Sequence, residues 1–243
     1  MQTTRRILTH AGGFLALAAL LVGGFTLVST QGGAAETAYE IPAAAMMETV
    51  AADATTETAV VSGGCFWGVQ LVFQHTKGVK NVLSGYSGGS EDDAVYETVS
   101  GGDTGHAESV QIVFDPRVIN YATILQIFFS VAHDPTQLDR QGPDYGTQYR
   151  SAIWVEGEQQ RKVAEAYIAQ LDAAKVYPAP IVTQVNDLEA FYPAEDYHQD
   201  YATLHPDQPY IAYNDLPKVD NFARLFPDLY RVKPKLVSES ATN

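Results

Sequence analysis

Cys65 is the single cysteine of the chain, and it stands where a strand-like run gives way to a helix-like one. Gly63-Gly64 before it signals a sharp turn, and Phe66, Val69 and Phe73 after it recur at helical spacing. A thiol at a helix start faces unsatisfied N–H groups and the positive end of the dipole, both of which favour a thiolate. Gly64 lets the backbone approach a ligand closely. Phe66 and Trp67 set two large rings beside the sulfur, a wall suited to a small apolar substrate group. The alternative is a buried cysteine acting as a small core hydrophobe among core aromatics. Glu108 has the strand parity of Val110, Ile112 and Phe114, so its carboxyl points to the buried face. An apolar setting holds a carboxyl proton more tightly, which suits a general acid near neutral pH. The competing reading is an edge glutamate wetted by the preceding loop, residues 101–105. His106-Ala107-Glu108 also has the H-x-E form of zinc deaminases, but no Pro-Cys-x-x-Cys follows, which excludes that chemistry. Residues 133–151 form a long polar connection of the kind that carries function. Within it, Tyr149 can donate to a developing oxygen charge and Asp144 can orient donors. Near the C-terminus, His198 in Tyr197-His198-Gln199 serves either a substrate pocket or a local backbone cap. With 14 tyrosines in the chain, any one of them is readily explained by packing or surface position.

These residues need a scaffold, and hydropathy patterning supplies one. Strands are expected over residues 58–62, 80–86, 108–115, 148–155 and 181–185, and helices over 65–75, 121–132, 158–174 and 194–201. The order β-α-β, β-α-β, α, β suits an α+β fold. We expect a two-layer α/β sandwich with a split βαβ core resembling the ferredoxin-like plait. Residues 58–231 have the size of one domain. No internal repeat is evident.

At 46% hydrophobic and 11% aromatic, the chain has enough apolar side chain to exclude a wholly disordered protein. Its 29 acidic against 15 basic residues, a net charge of −14, argue against nucleic-acid binding. One cysteine excludes an intrachain disulfide framework and a paired CxxC zinc site. Residues 1–35 carry Arg5 and Arg6, an apolar run over 11–28 and small residues at Gly33-Ala34-Ala35. This reads as a signal peptide, and Thr4-Arg5-Arg6-Ile7-Leu8 suits twin-arginine as well as general secretory export. An uncleaved membrane anchor is the alternative, because the run approaches the ~20 residues that span a bilayer. If the source is bacterial, export places the protein in the periplasm or cell envelope. Removing residues 1–35 takes the net charge from −14 down to −16, which favours a soluble monomer. Residues 36–57, rich in Ala, Thr and Glu, are expected as a flexible linker, and residues 232–243 as a loose polar tail.

Gly64-Cys65-Phe66-Trp67-Gly68 resembles the signature of the A-type peptide methionine sulfoxide reductases. Gly85-Tyr86-Ser87-Gly88-Gly89, Gly102-Asp103-Thr104-Gly105-His106-Ala107-Glu108 and Gly146-Thr147-Gln148-Tyr149-Arg150-Ser151 follow in the family's order. So do Tyr197-His198-Gln199 and the stretch from Pro209-Tyr210 to Asn214-Asp215-Leu216-Pro217-Lys218. The resemblance implies reduction of the S epimer of methionine sulfoxide, free or in proteins, in repair of oxidative damage. It implies that Cys65 attacks the sulfoxide sulfur and becomes a sulfenic acid. Phe66 and Trp67 would hold the substrate methyl group. Glu108 would supply a proton to the sulfoxide oxygen, with Tyr96 and Tyr149 hydrogen-bonding it. Asp144 and His198 fall in family active-site segments. No metal or organic cofactor is implied. Family members with further cysteines capture the sulfenic acid as a disulfide, whereas this chain has none to offer. An external thiol must then regenerate it: a thioredoxin-like protein, a glutaredoxin with glutathione, or a small thiol alone. Pro143, before Asp144, replaces the Asn more usual in the family. Two rival classes are a cysteine hydrolase or acyl transferase, with a base among His106, His133, His198 and His205, and a binding module for oxidised methionine peptides that lacks turnover.

Overall fold

The computed structural model describes residues 37–237, so the expected export segment and residues 238–243 lie outside the described residues. A first strand, β1 (Glu57–Gly63), leads through the Gly-Gly turn into α1 (Phe66–Gln74) and then β2 (Val79–Ser87). A short α2 (Tyr96–Val99) precedes β3 (Ala107–Phe114) and α3 (Tyr121–Ile127). The two-residue strands β4 (Arg140–Gln141) and β5 (Asp144–Tyr145) form a separate hairpin, followed by β6 (Ser151–Val155) and α4 (Glu158–Ala173). β7 (Gln184–Asp187), β8 (Tyr192–Pro193), α5 (Tyr201–Leu204) and α6 (Leu216–Leu225) complete the chain.

The main sheet has the order β7-β6-β1-β3-β2-β8, with every neighbouring pair antiparallel except β6 and β7. β1 and β2 therefore run the same way with β3 between them, and β3 and β6 the same way with β1 between them. Each β-α-β unit holds a strand of the other, so neither can form its core alone. Alternation along β1 decides which face is which. Ala59 and Val61 join the large core with Phe66, Val69, Phe73, Ile124, Phe128 and Tyr167 from the helices, while Val60 joins a small cluster with Ala107, Ala152 and Trp154 on the opposite face. The fold is thus α+β, with α1, α3 and α4 packed on one side of the sheet.

Local differences from the expected elements have local causes. The 121–132 helix is α-helical to Ile127 and then widens into a π-helical turn over Phe128–Ala132. Its start is fixed by the Asn120 side chain, which accepts the Thr123 N–H at 2.7 Å. The strand expected from residue 148 begins at Ser151, because Gly146 takes a φ of +131° and a 3₁₀ turn covers Thr147–Tyr149. The last expected strand is shifted to Gln184–Asp187. The helix expected over 194–201 does not form; a 3₁₀ turn at Asp196–His198 and α5 replace it, broken by Asp200 at a φ of +58°. Asp200 is held there by Gln74, whose Nε2 donates to its carboxylate at 2.6 Å.

Both flanking segments are docked rather than loose where the structure describes them. Tyr167 donates to Pro42 O at 2.7 Å, Gln126 donates to Ile41 O at 3.1 Å, and Gln170 makes paired bonds with Ala43 O and Ala45 N. Glu48 Oε1 accepts the Tyr121 N–H at the start of α3 at 2.5 Å. Residues 37–50 are therefore a strap across α3 and α4, because the side chains of those helices satisfy its backbone. At the other end, the Lys235 N–H donates to Gln74 O and the Val237 N–H to Asp200 Oδ1.

Candidate active site

The turn between β1 and α1 sets the sulfur. Gly64 has a φ of +86°, and a Cβ there would lie 2.5 Å from the Gln141 side chain, so only glycine lets β4 pack this closely. Gln141 is clamped in turn by bonds to the backbone of Asp134. The chain then enters α1 at Cys65, which is partly buried. Glu108 lies on β3 across from Tyr86 and is 4% exposed, on the core side that its parity requires. Its Oε2 accepts the Phe66 N–H at 2.9 Å, joining the strand carboxyl to the first turn of the helix.

Burial raises the Glu108 carboxyl, and the charges of Asp144 and Asp215 raise it further against the Phe66 hydrogen bond; the result is about 8. Glu108 is therefore protonated at neutral pH. The sulfur departs from expectation. Burial pushes the Cys65 thiol well above its ordinary value, and Glu108, Asp215 and Asp144 add to the rise, while the Trp67 N–H alone opposes it. The first helical amide is taken by Glu108, which leaves the dipole too little to outweigh desolvation. The resting sulfur is a thiol beside a neutral carboxyl.

Aromatic rings surround this pair. Phe66 is buried, with its ring 5.0 Å from that of His198 and 5.9 Å from that of Tyr86. Trp67 stacks on Tyr201 at 4.0 Å and meets Tyr210 edge-on at 6.2 Å. Tyr96 lies 4.6 Å from His198, ring to ring. Burial raises the Tyr149 hydroxyl, and the neighbouring acidic groups of Glu108, Asp144, Cys65 and Tyr96 raise it further; burial likewise raises Tyr96, with Glu108, Cys65 and Asp144 adding to it. Both hydroxyls are thus held as neutral donors among the same groups. Asp144, at the start of β5, accepts a short hydrogen bond from the Tyr210 hydroxyl. Pro143 lies between Gln141 and Asp144, in the turn of the β4-β5 hairpin, and leaves their pairing intact.

Cys65, Phe66, Trp67, Tyr96, Glu108, Asp144, Tyr149 and His198 are all brought together. His198 is 2% exposed, neither ring nitrogen has a hydrogen-bond partner, and burial lowers its pKa, so it serves as a neutral aromatic wall. The adjacent Gln199 fixes it: Gln199 bonds the backbone of Ser84 on β2 through both ends of its amide. Glu195 accepts from the Tyr86 hydroxyl at 3.0 Å and from the Tyr96 N–H at 2.9 Å, linking β2, α2 and the His198 turn.

Four further contributors were not singled out individually from the sequence: Tyr201, Tyr210, Asp215 and Lys218. Asp215 is fully buried, with Lys218 Nζ 3.7 Å away. A Cβ on Gly68 would fall 2.1 Å from Asp215 Oδ1, so the glycine of the Cys-Phe-Trp-Gly run admits this carboxylate to the first turn of α1. Burial raises Asp215 to about 6 despite Lys218. Residues 209–218 carried the motif, but only the close approach to Gly68 shows why.

The histidines do not supply a hydrolase base. His106 bonds Gly89 N and Ser90 O, and His133 bonds Phe128 O and Ser151 Oγ, so both rings are fully committed to other partners. Burial drives His133 down to about 3. His205 packs on Tyr201 at 4.4 Å.

A family model described as peptide methionine sulfoxide reductase matches residues 57–228. The peptide methionine sulfoxide reductase MsrA 2 of Mesorhizobium japonicum is 63% identical over 187 residues, covering 77% of this chain and 95% of its own. The MsrA 2 of Synechocystis is 53% identical over 173 residues, covering 71% of this chain and 81% of its own. Among solved structures, reduced Mxr1 of Saccharomyces cerevisiae superposes with a TM-score of 0.59 at 31% identity, covering 64% of this chain and 89% of that one. Methionine sulfoxide reductase A of Corynebacterium diphtheriae gives 0.54 at 34% identity, covering 71% of this chain and 88% of that one. With a thiol, a neutral buried carboxyl and an aromatic wall at the positions of the family's motifs, the chain belongs to the A-type peptide methionine sulfoxide reductases, oxidoreductases that reduce methionine sulfoxide.

Proposed function

We propose that this enzyme reduces protein-bound and free methionine S-sulfoxide through a sulfenic acid on Cys65. The observation that carries the reading is the buried Glu108 carboxyl, tied to the Phe66 N–H at 2.9 Å beside the only thiol, a setting that favours its protonated form. A sulfoxide oxygen leaves only once it is protonated, so donor and nucleophile must act together. Phe66 and Trp67 hold the methyl group. Tyr96 and Tyr149 hydrogen-bond the oxygen, Glu108 gives it a proton, and the Cys65 sulfur attacks the sulfoxide sulfur. The thioether departs as its S–O bond breaks and a Cys65 S–O bond forms; the oxygen keeps the proton that Glu108 gave it, and the thiol proton passes to Glu108 and restores the acid. Asp144 orients Tyr210 beside Trp67, and His198 closes the aromatic wall.

The chain offers no second thiol, so an external one regenerates Cys65: a thioredoxin-like protein, or glutathione with or without glutaredoxin. The reaction needs no metal or organic cofactor. We read the scaffold as the ferredoxin-like plait on its strand order β6-β1-β3-β2. We place the protein, a monomer, in the periplasm or envelope on the strength of residues 1–35, where it repairs oxidised proteins.

A single-turnover experiment without reductant tests the intermediate. One methionine released per chain, with a matching sulfenic-acid adduct on Cys65 after trapping with a cyclic 1,3-dione, is the expected result. Methionine formation with no trappable sulfenic acid on Cys65 would remove the intermediate from the scheme.

A further inference from the structure

The chain contains three methionines, Met1 and the adjacent pair Met46-Met47. The pair lies on the docked strap, with Met46 45% and Met47 64% exposed. An unbranched thioether with that exposure is open to peroxide, whereas a buried one is shielded. Both flanks of the pair are tied down: Ala45 N–H donates to Gln170 Oε1 at 2.8 Å, and Glu48 accepts the Tyr121 N–H. The Met47 sulfur itself accepts from Asn120 Nδ2 at 3.5 Å. Every methionine described in this enzyme is therefore held on its surface, in one dipeptide.

We propose that Met46-Met47 is an oxidant-accepting site of the enzyme and that the sulfoxides formed there are substrates for Cys65 of a second copy. The proposal rests on the reduction chemistry assigned to Cys65. In the first step a methionine sulfur attacks hydrogen peroxide, gains one oxygen and releases water. In the second, the Cys65 thiol of another molecule takes that oxygen as a sulfenic acid and restores the thioether. Two external thiols then return Cys65 to the thiol, giving a disulfide and water.

Position excludes the same-chain route while the strap is docked. Glu48 meets the start of α3, and Thr49 bonds Gln159 at the start of α4. These contacts lie by the Glu57 end of β1, whereas Cys65 follows its Gly63 end. Seven strand residues at about 3.3 Å each separate the two by roughly 20 Å. Presentation to a second copy is inexpensive. Ile41 is buried in the core cluster and Ala38, Tyr39 and Ala44 pack against it, which anchors the front of the strap, whereas the part that carries the methionine pair is held by the hydrogen bonds of Ala45, Met47, Glu48 and Thr49, so its local release costs far less than global unfolding.

The test uses full-length Cys65→Ser protein treated with hydrogen peroxide, freed of oxidant, and then incubated with catalytic wild-type enzyme and dithiothreitol. Peptide mass spectrometry reads the oxygen on Met46-Met47, and a methionine S-sulfoxide peptide in the same tube reports the basic activity. We expect one or two added oxygens after peroxide and loss of about half of them with wild-type enzyme, since only one epimer is reduced. A Met46→Leu/Met47→Leu variant should reduce the control peptide at the wild-type rate. Absence of oxygen on Met46-Met47 under conditions that oxidise free methionine would overturn the proposal. So would oxygen that persists there while the control peptide is reduced. An unreduced control peptide would overturn the assigned chemistry and this proposal with it.

Discussion

At the scale of the residue, the account depends on two protons. Glu108, at about 8, holds its proton at neutral pH because burial outweighs its hydrogen bond from Phe66. The rate should be flat through neutrality and fall as pH rises through about 8, and Glu108→Gln should lose roughly 10²–10⁴ in rate and abolish that falling limb. A pH-rate profile with the limb unchanged in Glu108→Gln would assign the acid elsewhere. The same group links to stability. Its folded pKa lies above the ordinary 4.5, so the folded state holds the proton more tightly, and that contribution, full below the unfolded pKa, is lost as pH rises through about 8. Glu108→Gln should therefore gain stability relative to wild type between mildly acidic and mildly alkaline pH, as denaturant midpoints would record. Asp215 gives a sharper case. Lys218→Met leaves a buried carboxylate without its 3.7 Å cation, at a cost of about 3 kcal/mol above pH 6 that shrinks as Asp215 takes its proton below it. Asp215→Asn with Lys218→Met should recover much of the loss; an additive double variant would show that the two side chains are not coupled.

At the scale of the element, the Gly-Gly turn and the strap carry the argument. Gly64→Ala places a Cβ at a φ of +86° and against Gln141, and should cost about 2 kcal/mol of stability together with most of the activity. A stable, active Gly64→Ala enzyme would show that this turn does not position Cys65. The strap predicts a local effect: Gln170→Ala removes the bonds to Ala43 and Ala45 and should raise hydrogen exchange in residues 37–50 without altering turnover. Much of this was legible in the sequence. Parity put Glu108 on the buried face, the 3.6-residue period located α1, α3 and α4, and the motifs named the residues that the fold gathers. What was not legible depended on partners distant in sequence. Hydropathy cannot show that Gln170, Gln126 and Tyr167 will satisfy the backbone of residues 41–45. Nor can it show that Asp200 will break a helix because Gln74 bonds it, or that Asp215 will reach the start of α1 because position 68 has no side chain. The thiolate expectation failed for a related reason: helix position was visible, but the burial of the sulfur and the three acidic side chains around it were assembled by tertiary structure.

At the scale of the whole molecule, an acidic chain of net charge −14 carries one thiol. The interlaced sheet brings the end of β1, the start of β3, the β4-β5 hairpin and the C-terminal turns to one place, so the site exists only in the complete fold. The methionine pair lies by the other end of β1, where Glu48 meets the start of α3 and Thr49 the start of α4. The most direct test of the central claim is multiple-turnover reduction of a methionine S-sulfoxide peptide with excess dithiothreitol, run beside the R epimer and the Cys65→Ser variant. The account predicts many turnovers of the S epimer, none of the R epimer and none in the variant. A single reduction per chain, or turnover that survives in Cys65→Ser, would contradict it.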